Sequence, residues 1–167
     1  MNDQIWWITG ASSGIGAALA RALAARGAKL ILSGRNVGAL EAVAADCATE
    51  TLVLPFEATD YDALPAIADR AWGWQGRIDG LVNNAGISQR SLAIDTDFVV
   101  YQQIVAVDLL APIALTQQLL PRMIGAGGGQ IVAISSVAGI AGVPLRSAYC
   151  AAQARADRLS RQRPRRE

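Results

Sequence analysis

The sequence predicts an α/β protein, a doubly wound parallel sheet held between two layers of helices (three-layer α/β/α). Three observations carry the prediction. Short apolar runs alternate with longer segments of helical periodicity along most of the 167 residues. The apolar runs are nearly continuous rather than alternating with polar residues, the mark of strands buried on both faces. The first run ends on a glycine turn that leads directly into a helical pattern.

The elements follow in order. Gln4–Thr9 is a strand, and Gly14–Arg26 carries alanine and leucine at helical spacing. Lys29–Ser33 is a second strand, after which Asn36 can cap a helix that buries Val37, Leu40 and Val43. Thr51–Leu54 is strand three, with Asp60–Trp72 helical behind it, and Asp79–Val82 is strand four. Asp97–Ile124 is a long helical pattern in which Pro112 predicts a bend or break. Gly127, Gly128 and Gly129 end it, Gln130–Ser135 is strand five, and a further helix starts at Ser147. No internal repeat interrupts this plan.

Composition narrows the function classes. A length of 167 residues suits one domain, and 52% hydrophobic with 17% charged residues suits a compact core. The absence of histidine removes Ser-His-Asp and Cys-His catalysis and the commonest metal ligand, so no metal centre is expected. Cys47 and Cys150 alone do not make a disulfide framework. No uninterrupted apolar run reaches about 18 residues, so no membrane span is expected. The N-terminus lacks a basic segment followed by an apolar one, and a cytoplasmic location is the expectation.

The chemistry is carried by four motifs. Thr9-Gly10-Ala11-Ser12-Ser13-Gly14-Ile15-Gly16 lies between strand one and helix one. Glycines there let the backbone approach a pyrophosphate, whose charge a helix N-terminus favours. Taken alone, the same pattern is also an ordinary glycine-rich turn. Asn83-Asn84-Ala85-Gly86 follows strand four, Ser136 stands after strand five, and Tyr149 opens the following helix with Gln153 four residues on.

Together, in this order and on these elements, the motifs resemble the short-chain dehydrogenase/reductase family over residues 4 to about 153. The stretch Asn83–Leu92, NNAGISQRSL, is most similar to the dehydrogenase/reductase member 7 subgroup. The resemblance implies a Rossmann-type fold with strand order 3-2-1-4-5-6-7, of which this sequence supplies the first five and lacks the last strands. It implies an NAD(P)-dependent oxidoreductase moving hydride between nicotinamide and an alcohol or carbonyl substrate. Gly10, Ser12, Ser13, Gly14, Ile15, Gly16, Asn83, Ala85 and Gly86 would line the cofactor. Glu57 stands where relatives carry an aspartate near the adenine. Strand two ends in Ser33-Gly34-Arg35 with no acid, which favours NADP over NAD, since an arginine there accommodates a 2′-phosphate. Arg35 is otherwise a solvated residue at the start of a helix.

The resemblance gives Ser136 the polarisation of the substrate carbonyl and Tyr149 the proton transfer. A tyrosine whose free pKa lies near ~10 needs help to act near neutrality. The family supplies a lysine four residues on, which also binds the nicotinamide ribose. This chain has Gln153, which offers hydrogen bonds and no charge. An asparagine of the family's proton relay is replaced by Asp108, and an ionised carboxylate near a tyrosine disfavours the tyrosinate. Weak or absent turnover is expected.

Residues 1–154 form the predicted dinucleotide-binding domain and 155–167 an arginine-rich tail. The tail holds six arginines against Asp157 and Glu167, a net charge of +4, while the rest of the chain sums to −3. It reads as frameshifted or disordered. One inserted base converts a family-like continuation into QARADRLSRQRPRRE, although a naturally diverged tail gives the same residues. On this reading strand five becomes an exposed edge, and any homo-oligomer is weakened by truncation. Specific nucleic-acid binding through the tail is the weakest of the readings, behind an oxidoreductase and a non-catalytic nucleotide-binding remnant.

Overall fold

The computed structural model describes residues 2–160, with side chains described as far as Ala154. Five parallel strands form one sheet in the order β3-β2-β1-β4-β5. They are β1 (Ile5–Thr9), β2 (Lys29–Ser33), β3 (Thr51–Val53), β4 (Gly80–Asn83) and β5 (Gln130–Ala133). The helices are α1 (Gly14–Ala24), α2 (Val37–Asp46), α3 (Leu64–Gln75), α4 (Phe98–Val105), α5 (Ala111–Gly125) and α6 (Ser147–Ser160). The expected order of the first five strands is the order observed. Residues 161–167 of the basic tail lie outside the described residues, and so do the side chains of 155–160.

The sheet is covered on both faces because consecutive strand residues point to opposite sides. Trp6, Ile8, Leu30 and Leu32 pack on one face with Ala17, Ala20 and Leu40 of α1 and α2. Ile5, Trp7 and Ile31 pack on the other with Leu64, Ala68, Leu115 and Leu119 of α3 and α5. Trp7 is fully buried, and its indole N–H donates to Ser33 Oγ at 2.8 Å, so the one polar atom of that ring is paired. Trp6 lies flat against Gly80, where any Cβ would collide with the ring. Local signals set the helix ends. Asn36 caps α2 by accepting from the Ala39 N–H at 3.0 Å, and Gly76 ends α3 in the left-handed conformation (φ 73°).

The segment 98–125 is unbroken, which removes the break, one of the two outcomes expected of Pro112. It is one continuous helix whose middle, Ala106–Leu110, widens into a π turn, with the Ala111 N–H bonded to the Ala106 carbonyl five residues back. Pro112 follows directly. A proline has no N–H and its ring crowds the carbonyl four residues earlier, so widening the preceding turn accommodates it without breaking the helix. The composite helix is long and apolar enough to cross a membrane, with a mean hydropathy of 1.8 over 18 residues, despite the interruptions by polar residues. Its row Ile104, Asp108, Ala111, Leu115, Leu119 and Met123 is buried, while Phe98, Val99, Leu110, Leu120 and Ile124 are exposed. Among the described residues β5 pairs only with β4, and Ile131 on it is 39% exposed.

Candidate functional site

A cleft of about 850 Å³ opens beyond the C-terminal ends of the strands. It lies where the strand order reverses between β1 and β4, the switch point at which open α/β sheets bind ligands. Gly10, Ser12, Ser13, Gly14 and Ile15 line one wall, Arg35 and Glu57 another, and Ala85 and Gly86 a third.

The backbone around the cleft is tightly specified. Gly10 has φ 64°, and a Cβ there would lie 2.8 Å from the Ala85 Cα. Gly14 has φ 54° and faces open space, so it supplies conformation rather than clearance. Gly16 does not line the cleft. It packs behind it, where a side chain would strike the Gly10 carbonyl and the Asn84 amide. Ser13 precedes α1 without a side-chain cap, and the first turn has no acid, so the helix start presents unpaired N–H groups to the cleft.

Two residues not selected from the sequence hold this wall together. Thr9 Oγ1 donates to the Val82 carbonyl at 3.3 Å and accepts the N–H groups of Asn84 and Ala85 at 3.0 and 3.1 Å. The Asn84 amide donates to the Thr9 and Gly10 carbonyls at 3.0 and 3.1 Å. Asn83 points elsewhere: it is buried and its amide donates to Thr116 Oγ1 of α5 at 3.1 Å. The motif NNAG contains the needed signal. Its second asparagine, not its first, reaches the glycine turn.

Arg35 and Glu57 face one another across the ends of β2 and β3. Arg35 Nη1 lies 3.7 Å from Glu57 Oε2, while Glu57 Oε1 accepts from the Thr59 N–H and hydroxyl at 3.4 and 3.3 Å.

Ser136, Tyr149, Gln153 and Asp108 lie apart from the lining of the cleft, around α6 and the π turn. Asp108 is 4% exposed. Its Oδ1 accepts the Ile87 N–H at 2.8 Å and its Oδ2 accepts the Gln153 amide at 3.3 Å. Burial pushes its carboxyl up to about 6, partly offset by those two donors. Gln153 is 6% exposed and its Oε1 has no hydrogen-bond partner among the described residues. Gly139 explains how the Ser136 loop reaches α6, since a Cβ there would lie 2.9 Å from the Gln153 carbonyl carbon. Ser136 Oγ accepts the Ala138 N–H at 3.2 Å.

The start of α6 is pinned from the loop after β4. Gln89 accepts the Tyr149 N–H at 3.3 Å and donates to Ser147 Oγ at 3.4 Å, and Tyr101 hydrogen-bonds the same hydroxyl at 2.6 Å. Ser91 N–H donates to the carbonyl of Leu145, a residue in the left-handed region (φ 65°). Arg146 places its guanidinium carbon 6.0 Å from the centre of the Tyr149 ring.

A parallel sheet with a glycine turn at its switch point, followed by Ser136 after β5 and Tyr149 on α6, is the architecture of a dinucleotide-binding α/β class. The chain belongs to the short chain dehydrogenase family, which matches residues 4–164. It is similar to "Dehydrogenase/reductase SDR family member 7" of Homo sapiens, 42% identical over 160 residues, covering 92% of this chain and 47% of that protein. Among solved structures it is similar to levodione reductase (TM-score 0.92, 32% identity, 96% of this chain and 65% of that one). A metagenomic short-chain oxidoreductase in complex with NADP gives a TM-score of 0.86 and 36% identity over 95% of this chain and 73% of that one. The chain spans about half the length of the curated relatives it matches.

Proposed function

We propose that this chain binds NADP(H) in the cleft and descends from oxidoreductases acting on alcohols or carbonyls, with turnover impaired. The observation that carries the binding half is the uncapped start of α1, opened to the cleft by Gly10 and Gly14. Backbone N–H groups at such a helix end bind a pyrophosphate without competition from a nearby acid. Gly10, Ser12, Ser13, Gly14 and Ile15 would hold the pyrophosphate, with Gly16 and Asn84 shaping the turn from behind. Arg35 would meet a 2′-phosphate, Glu57 lies beside it, and Ala85 and Gly86 would flank the nicotinamide half. Asn83 contributes through the wall it braces with Thr116. A metagenomic neighbour solved with NADP supports this preference.

The bound nicotinamide would supply or accept the hydride. The remaining work falls to Ser136, which would orient a carbonyl oxygen, and Tyr149, which would pass it a proton. Gln153 and Asp108 are where the chemistry weakens. Gln153, an amide, stands where the family provides a lysine, and the buried Asp108 stands where it provides an asparagine, so this pair brings no positive charge to the site. That arrangement favours a second reading, nucleotide binding without turnover.

Titrating NADPH into the full chain, following the fluorescence of Trp6, Trp7, Trp72 and Trp74, tests binding. Saturable binding at micromolar to sub-millimolar NADPH is the expected result, and no response would remove both readings. Steady-state oxidation of NADPH with simple ketones and aldehydes separates the two. Gln153→Lys is expected to raise turnover at least about tenfold if the oxidoreductase reading holds, since general acid–base help is worth 10²–10⁴. The exposed apolar side chains of the helix 98–125 would meet a second copy, and sedimentation velocity with Phe98→Glu/Ile124→Glu is expected to show a shift to monomer.

A further inference from the structure

We propose that Glu57 limits the preference of the cleft for a 2′-phosphorylated dinucleotide, by holding Arg35 in an ion pair that the phosphate must displace. This rests on the reading that the cleft takes a dinucleotide.

The pairing follows from the strands. β2 and β3 run parallel with Leu32 opposite Val53, and the ladder continues past their ends as Leu54 N–H bonds the Leu32 carbonyl and Phe56 N–H bonds the Gly34 carbonyl. Those backbone bonds place the next residue on each chain, Arg35 and Glu57, side by side on the same wall of the cleft. The carboxylate does not swing freely. Its Oε1 is held by the N–H and hydroxyl of Thr59, which leaves Oε2 for Arg35. The guanidinium is less restrained, being 73% exposed at its side chain, so its direction is set largely by the charge it faces.

A 2′-phosphate arriving at Arg35 meets two obstacles that a 2′-hydroxyl does not. It must compete with Glu57 Oε2 for the guanidinium, and it brings two negative charges next to a fixed third. A dinucleotide with a 2′-hydroxyl places no charge there, and its pyrophosphate sits at the start of α1. Removing the carboxylate therefore strengthens one cofactor selectively. Both partners are solvent-exposed, so the effect is a few-fold and screened by salt.

The test is a calorimetric or fluorescence titration of the full chain with NADPH and with NADH. It compares wild type, Glu57→Gln, Arg35→Gln and the double variant at about 20 mM and about 500 mM salt. Glu57→Gln is expected to tighten NADPH about three- to fivefold at low salt while NADH changes less than about twofold. The gain shrinks at high salt, which a purely structural effect would not do. In the Arg35→Gln background the Glu57→Gln gain is expected to disappear, because the carboxylate acts through the guanidinium. An unchanged NADPH to NADH ratio in Glu57→Gln, weaker NADPH binding, or an equal gain without Arg35 would each overturn the inference. Wild-type and variant proteins that bind neither nucleotide would overturn the cleft reading itself and the inference with it.

Discussion

At the scale of single residues, Asp108 carries the sharpest prediction. Its folded carboxyl titrates at about 6 against an ordinary 3.8, so the folded protein holds that proton more tightly than the unfolded chain. Its contribution to stability is therefore present below pH 4 and is lost as pH rises through 6, a swing of about 2–3 kcal/mol. Asp108→Asn is expected to raise the melting temperature at pH 8 by roughly 5 °C and to change it little at pH 4, read by calorimetry. The asparagine retains an acceptor for Ile87, and its own N–H can satisfy the unpaired Gln153 oxygen once that amide turns over. Gly139→Ala tests the neighbouring contact. Its methyl group must displace the Gln153 backbone, and a loss of about 1–3 kcal/mol in denaturant unfolding is expected. None of this closeness was legible in the sequence. Asp108 stood out as an unusual residue, but its contact with Ile87 spans 21 positions and depends on how the helix packs under the loop. Glu57 and Arg35 were each legible by position, whereas their pairing depends on the register of β2 and β3.

At the scale of elements, the second strand was read to its exact bounds because Lys29–Ser33 is an apolar run framed by a glycine turn and Gly34. α3 was less well read: it starts at Leu64, and Asp60 instead accepts the Ala63 N–H at 3.3 Å in the turn before it. Pro112 was read as a bend or a break, and the helix runs unbroken through it, since sequence shows the missing N–H but not that a π turn can absorb it. The start of α6 depends on Gln89, a loop side chain that performs a cap's work on the Tyr149 N–H. Gln89→Ala is expected to cost about 1 kcal/mol and to speed hydrogen exchange of the first-turn amides of α6 about fivefold. Glutamine to glutamate at that position would keep the acceptor and is expected to restore most of the protection.

At the scale of the whole molecule, the two faces of the sheet were predictable because strand residues alternate while helices repeat at their own period. β5 has one neighbour among the described residues and an exposed Ile131, so it is a template for strand pairing between copies. Ile131→Lys is expected to slow aggregation on heating, measured by light scattering, while moving the unfolding midpoint by less than about 2 °C. The lining of the cleft runs from Thr9 to Val107, whereas Ser136, Tyr149 and Gln153 belong to the part of the chain that follows. On the proposed function, capture and conversion are thus separable inheritances. A lineage could keep the first as a sensor or reservoir of reduced nucleotide while the second decays, and a column bearing immobilised nucleotide would retain both kinds of descendant alike.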